Sequence, residues 1–342
     1  MKKLELLLCS LLLLILVSCE EENNDPQVDP EPDLADVIVA CEGAFQGNNA
    51  SLSLYTSDSE EVQNGIFEAV NGYGPGDVLQ SITRIGDHIY LLLNNSSKIE
   101  VVQATSLVSE AVIQGLVSPR EILAVSTEKA YVSNLFTNSI QIVDLSDHSL
   151  SGGVDIGGWS EGMLITDGKV YVARSSDDQV MVIDPVTDML IDSITVTPGP
   201  VNMRLDEEGM IWLATNGNFG AVDPKVHRID PVTDEVILTV DIPAPYSYSI
   251  ELDINADGDQ VYLLNNEVYT MFIGDNSLSD DPIAEGAGSF YGMAIHPSSG
   301  DIYATDAGDF ASPGTVYRYS MSGVLMDEFQ VGIAPNGFLF RN

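Results

Sequence analysis

Short apolar stretches alternate with Gly, Asp, Asn and Pro through residues 36–342, and the same pattern returns along the chain. Its most regular member is a strand centred on an aromatic residue. The copies are Ile89-Tyr90-Leu91, Ala130-Tyr131-Val132, Val170-Tyr171-Val172, Ile211-Trp212-Leu213, Val261-Tyr262-Leu263 and Ile302-Tyr303-Ala304. Successive aromatic positions lie 41, 40, 41, 50 and 41 residues apart, a regularity typical of radially repeated β-sheets. A second strand follows each copy, as in Ile140-Gln141-Ile142-Val143-Asp144, and its period-two alternation predicts a half-buried strand. Two of these strands run into the same pentapeptide, Asp184-Pro185-Val186-Thr187-Asp188 and Asp230-Pro231-Val232-Thr233-Asp234. Asp then Pro suits the first two positions of a type I turn, so the segment reads as a hairpin. Another strand comes after the hairpin, and one more precedes the aromatic strand across Asp167-Gly168 or Ser299-Gly300. Each unit therefore holds four strands, A to D, and residues 19–342 show no helical periodicity.

Six aromatic strands predict six units, and the chain ends supply a seventh. Residues 36–42 and 51–55 read as its strands B and C, Ile66-Phe67 as its strand D, and Ala334-Pro335-Asn336-Gly337-Phe338-Leu339-Phe340 as its strand A. The predicted fold is an all-β, seven-bladed β-propeller with four-stranded blades, closed by the C-terminal A strand joining the N-terminal blade. Such closure also covers the sheet edges that an open array would expose.

The first residues do not fit the repeat. Lys2 and Lys3 precede an apolar run over residues 6–17, too short for a comfortable transmembrane helix and bounded like a signal sequence. Leu16-Val17-Ser18-Cys19 resembles a bacterial lipobox, which implies a signal peptide over residues 1–18 and lipid on Cys19; an ordinary cleaved secretion signal is the alternative. Residues 19–35, acidic and Pro-rich, read as a flexible tether to a propeller spanning 36–342. An acidic run directly after the lipidated Cys is similar to an export signal that carries lipoproteins to the outer face of the outer membrane, and a plain linker facing the periplasm is the alternative. Of three Cys, only Cys41 falls in the propeller, so no disulfide can form within it, and its apolar setting predicts a buried, inert thiol.

Charge narrows the list of partners. The chain carries 52 acidic and 13 basic side chains, a formal charge of −39. Phosphate-tracking surfaces need clustered Lys and Arg, so nucleic acid is excluded as a partner, and anionic lipid surfaces are disfavoured except through the lipid anchor. Disorder is excluded too, because 44 % of residues are hydrophobic. The propeller is expected to be a monomeric domain.

In a propeller the D–A and B–C loops open on one face around the central channel. Ten of the 25 aromatic residues fall in those loops, which marks that face as a binding surface or, for some of them, as plugs of the channel mouth. Trp159, Tyr246, Tyr248, Phe219, Tyr291 and Arg120 are the candidate ligand contacts on this reading. The 50-residue unit points the same way, since its additional residues enlarge the loops around Phe219 and after Pro243. A calcium motif is suggested by Asp253, Asn255, Asp257 and Asp259, which match the start of an EF-hand loop. Leu264 stands where the bidentate Glu belongs, and the segment aligns with plain A–B turns of other units, so a turn is the favoured reading. No catalytic residues and no cofactor are assigned: the four His occupy different repeat positions, and no nucleophile elbow, H-E-x-x-H or P-loop occurs.

The aromatic B strand, the C strand ending in Asp-Pro-x-Thr and the A strand preceded by Pro resemble YncE-like seven-bladed propellers. With the lipid Cys, Asn71-Gly72-Tyr73-Gly74-Pro75-Gly76-Asp77 and Leu116-Val117-Ser118-Pro119-Arg120, the chain is more specifically similar to surface lipoproteins of the DUF5074/BtuG type. That resemblance implies capture of a small ligand, cobalamin or another corrinoid first, for a TonB-dependent outer-membrane transporter. Two other classes stay open: a protein- or glycan-binding propeller using the same aromatics, and a channel-based hydrolase or oxidoreductase.

Overall fold

The computed structural model describes residues 36–218, 220–247, 250–286 and 288–341. Residues 1–35, with Cys19, lie outside the described residues, as do Phe219 and Tyr248. Seven antiparallel sheets follow one another, and each is a blade. In blade 1 strand A is Pro335–Phe340, strand B Val37–Cys41, strand C Ser51–Thr56 and strand D Glu61–Asn64. Val37 pairs with Tyr55 on one side and with Phe340 on the other, so the two chain ends share one sheet. The A strands of blades 2 to 7 are Leu79–Ile85, Pro119–Ala124, Met163–Thr166, Pro200–Leu205, Glu251–Ile254 and Gly292–Ile295. Each A strand touches the A strands of both neighbouring blades, and the cycle closes through blade 1.

Packing explains why the B strands are apolar throughout, and why exposure alternates along outer D strands such as Ser109–Gln114 and Glu235–Asp241 while C strands such as Lys98–Gln103 are buried along most of their length. Each B strand lies between two blades and buries both faces, as in His88–Leu93, where Ile89, Leu91, Leu92 and Leu93 are fully buried. The apolar side chains sort into seven clusters, one per seam between adjacent blades; Tyr90, Leu92 and Val101 of blade 2, for example, pack on Ile122, Val132 and Val143 of blade 3. Full burial of such a side chain stabilises by about 1.5–3 kcal/mol. The repeated aromatics are core residues, none more than 1 % exposed. Cys41 is also fully buried, and burial pushes its thiol up to about 12, beyond useful nucleophilicity.

The structure departs from the sequence reading in two places. Ile66-Phe67 does not form strand D of blade 1; that strand is Glu61–Asn64, and Ile66–Asn71 is a short helix between Gly65 and Gly72, both at positive φ. Less than two turns of helix leave no periodicity to detect, and the fully buried Phe67 anchors the helix in the seam between blades 1 and 2. Blade 6 has three regular strands, Glu251–Ile254, Gln260–Asn265 and Glu267–Phe272, with a single bridge from Val268 to Ala284 where a fourth would run. Asp275, Asp280, Asp281 and Pro282 lie in that outer segment, residue types that do not favour a strand.

Candidate functional site

The residue after each conserved B-strand aromatic pairs with Ile82, Ile122, Met163, Met203, Leu252 or Met293 of strand A, which aligns the blades around the channel. The position just before these residues is occupied by Ser81, Glu121, Gly162, Asn202, Glu251 and Gly292. Here the side chain reaches across to the next blade. Glu121 accepts from the Met163 backbone N–H at 2.7 Å, Glu251 from that of Met293 at 3.1 Å, and Asn202 both accepts from and donates to the Leu252 backbone. Where the position is Gly162 or Gly292, the next blade's backbone comes too close for a Cβ: one built there would stand 2.5 Å from the Val201 oxygen or 2.2 Å from that of Asn336.

Ser81, Glu121, Gly162, Asn202 and Glu251 line a cavity of about 550 Å³ at the channel mouth, with Glu42, Phe45, Gln80, Arg120, Arg204, Tyr291 and Asn336 completing much of its wall. Arg120 donates to Glu161 at 2.6 Å and to Gln80, and Arg204 donates to Asp253 at 2.7 Å. Glu42 is held by the Asn336 amide at 2.7 Å and by the Tyr291 hydroxyl at 3.2 Å. Removal from water raises the carboxyls of all three unpaired glutamates. Glu121 is pushed up to about 7, with Met163 N–H and Arg204 opposing, and Glu251 to about 8, with Met293 N–H and Arg204 opposing. Glu42 is also raised, against its bonds from Asn336 and Tyr291.

Exposed aromatics stand above this wall. Phe45, Phe136, Trp159, Tyr246 and Phe310 are between 38 % and 71 % exposed, all in B–C or D–A loops. Trp159 packs edge-on against Phe136 at 5.0 Å and the partly buried Tyr291 against Phe310 at 4.9 Å, so three of the five exposed rings are braced by another ring. Tyr73 is different: its hydroxyl donates to the buried Glu100 at 2.7 Å and its ring packs on Phe67, which makes it part of a seam.

Of the sequence candidates, Arg120 and Tyr291 share the channel cavity, and Trp159 stands on the rim. Tyr246 lines a second cavity of about 480 Å³ with Gly199, Val222 and Asp223; the two cavities share Val201 and Asn216. Phe219 and Tyr248 fall outside the described residues. Sequence reasoning missed Glu42, Glu121, Glu251 and Arg204. For Glu121, Glu251 and Arg204 the signal was a charged residue in a strand otherwise bound for the core, visible only once the A strands are superposed, whereas Glu42 follows strand B of blade 1 and gave no such signal. Asp253 is taken by Arg204 and the Ile295 N–H, while Asn255 and Asp259 bond each other across the A–B turn at 2.7 Å. No group of three His, Cys, Asp or Glu among the described residues is placed to hold a metal.

No curated protein matches the chain. Solved structures of similar fold include hydrazine synthase of Kuenenia stuttgartiensis, 17 % identical with a TM-score of 0.66, covering 75 % of this chain and 88 % of that one. Also similar is a quinonprotein alcohol dehydrogenase-like protein from Bacteroides thetaiotaomicron, 16 % identical with a TM-score of 0.66, covering 90 % and 78 %. A protein from Lactobacillus plantarum is 14 % identical with a TM-score of 0.65, covering 90 % and 99 %. At such identities the likeness shows the propeller fold and carries no reaction. Residues 36–340 match the domain of unknown function DUF5074, nearly the whole of the propeller, and the chain belongs to that family.

Proposed function

We propose that this propeller is a lipid-anchored, cell-surface binding protein that captures a small ligand across its channel mouth and passes it to a TonB-dependent outer-membrane transporter. The observation that carries the reading is a rim of exposed aromatic rings, three of them braced by a neighbouring ring, with a polar cavity of about 550 Å³ at the channel mouth. Large flat rings held rigidly at a concave polar site bind ligands that are themselves broad and partly apolar. A corrinoid is the first candidate, on the resemblance to BtuG-type lipoproteins. Its broad macrocycle would lie on the aromatic rim with peripheral amides directed into the polar cavity. The lipobox at Cys19 and the acidic tether support surface anchoring.

Gel filtration tests the ligand. Residues 20–342 incubated with excess cyanocobalamin should elute with corrin absorbance in the protein peak, and Trp159→Ala should weaken binding at least about tenfold. A colourless protein peak overturns the corrinoid reading.

A further inference from the structure

The reading of the channel mouth as a ligand site leaves open which ligand groups enter it, and the cavity wall bears on that. Its two guanidinium groups are already engaged by carboxylates, Arg120 by Glu161 at 2.6 Å and Arg204 by Asp253 at 2.7 Å. Glu42, Glu121 and Glu251 have no Arg or Lys in ion-pair contact among the described residues. Glu121 and Glu251 each spend one oxygen on the N–H of the next blade. The other oxygen of each has no hydrogen-bond partner among the described residues, yet both residues line the cavity. The wall thus offers acceptor oxygens that Arg120 and Arg204 influence only at a distance, their direct ion pairs being to Glu161 and Asp253.

We propose that the channel end of this site selects ligand groups that present N–H donors, ammonium or primary amide nitrogens, and rejects carboxylates and phosphates. An anion entering the cavity would meet three glutamates and two guanidinium groups already paired with carboxylates, whereas an N–H donor meets carboxylate oxygens that no protein group fills among the described residues. The groups facing Glu121 and Glu251 are Arg204, Glu161, Asp253 and Glu42, with Arg120 and Tyr291 beside Glu42. A bound ammonium favours the ionised form of these acids. Its binding should therefore release protons and tighten as pH rises from below about 7 to above about 8, where the two carboxyls titrate.

Three probes of one shape separate the outcomes: tyramine, 3-(4-hydroxyphenyl)propanamide and 3-(4-hydroxyphenyl)propanoate, titrated into the full chain by ligand-observed NMR. Above a pH of about 8, where both carboxyls are ionised, the amine and the amide should bind at least about tenfold more tightly than the acid, and tyramine should gain affinity as pH rises to that value. Glu121→Gln with Glu251→Gln keeps an acceptor oxygen for each neighbouring N–H and puts an amide into the cavity, so the preference and its pH dependence should both shrink. If the double variant loses its cooperative melt, each single variant makes the same comparison. Equal binding of the acid, no binding of any probe, or an unchanged preference in the variants overturns the inference. Failure of cyanocobalamin alone, with the probe preference intact, overturns only the corrinoid reading.

Discussion

At Gly292 the absence of a side chain is a packing requirement. The backbone φ there is ordinary, but a methyl group would sit 2.2 Å from the Asn336 carbonyl oxygen of the closing strand. Gly292→Ala should therefore force blades 7 and 1 apart at the channel wall, lowering stability by about 1–3 kcal/mol, read from the denaturant midpoint at unchanged slope. A midpoint equal to that of the parent chain would show that the neighbouring strand shifts freely. Residue-scale chemistry also revises the repeated Asp-Pro-Val-Thr-Asp. Its first Asp caps the turn, Asp184 and Asp230 each accepting from the N–H two residues on, as the sequence suggests. Its last Asp belongs to the seam: Asp188 binds Lys129 and Tyr131 of the preceding blade, and Asp234 binds Lys169 and Tyr171.

Between blades, that Lys, Tyr and Asp arrangement acts as a clasp in two successive seams, blades 3 to 4 and 4 to 5, and the seam before them carries histidines instead. Blade 2 has His88 and Tyr90 where blade 3 has Lys129 and Tyr131, and it meets His148 where blade 3 meets Asp188. Tyr90 pairs with His148 at 3.1 Å, the two imidazoles lie 4.8 Å apart, and Glu110 holds His88 at 2.8 Å. Burial, and then the neighbouring His88, lower the affinity of His148 for its proton, with Glu110 and Asp147 opposing. The unfolded chain thus binds that proton more readily than the folded one. Stability from this seam is complete above the ordinary imidazole value of 6.5 and declines as pH falls below it. Replacing the pair by the clasp of the next two seams, His88→Lys with His148→Asp, should flatten the loss of melting temperature on acidification from about 7 to about 5. Parallel melting curves for the two proteins across that window would refute a role for the histidines.

For the molecule as a whole, the ring depends on its last strand. Pro335–Phe340 pairs along Val37–Cys41, and Phe338 and Phe340 pack on the core between blades 7 and 1. A chain ending at Ala334 would leave strand B of blade 1 as an open apolar edge and remove an A strand from the channel wall. It should lose the cooperative thermal transition seen by circular dichroism; an unaltered transition would mean that six blades and a fragment are self-sufficient. The net charge of −39 also takes a more local meaning. Most of it is solvated coat, but three glutamates face inward, where their charge is costly and open to a ligand.

Repeat, strand count and ring closure were legible because each blade must bury its B strand on both sides, and that demand writes an aromatic into the chain about every 41 residues. The rim was legible for a related reason: Trp159, Tyr246 and Tyr291 are large apolar residues in loops that otherwise carry Gly, Asn and Asp. The helix at Ile66–Asn71 and the irregular edge of blade 6 were not, since a single turn and an outer segment leave too few residues for a period to emerge. Nor was the cavity wall. Glu42, Glu121 and Glu251 lie far apart in sequence and gain a common meaning only where the A strands meet around the channel, because removal from water and competition for two arginines depend on distances that closure of the ring creates.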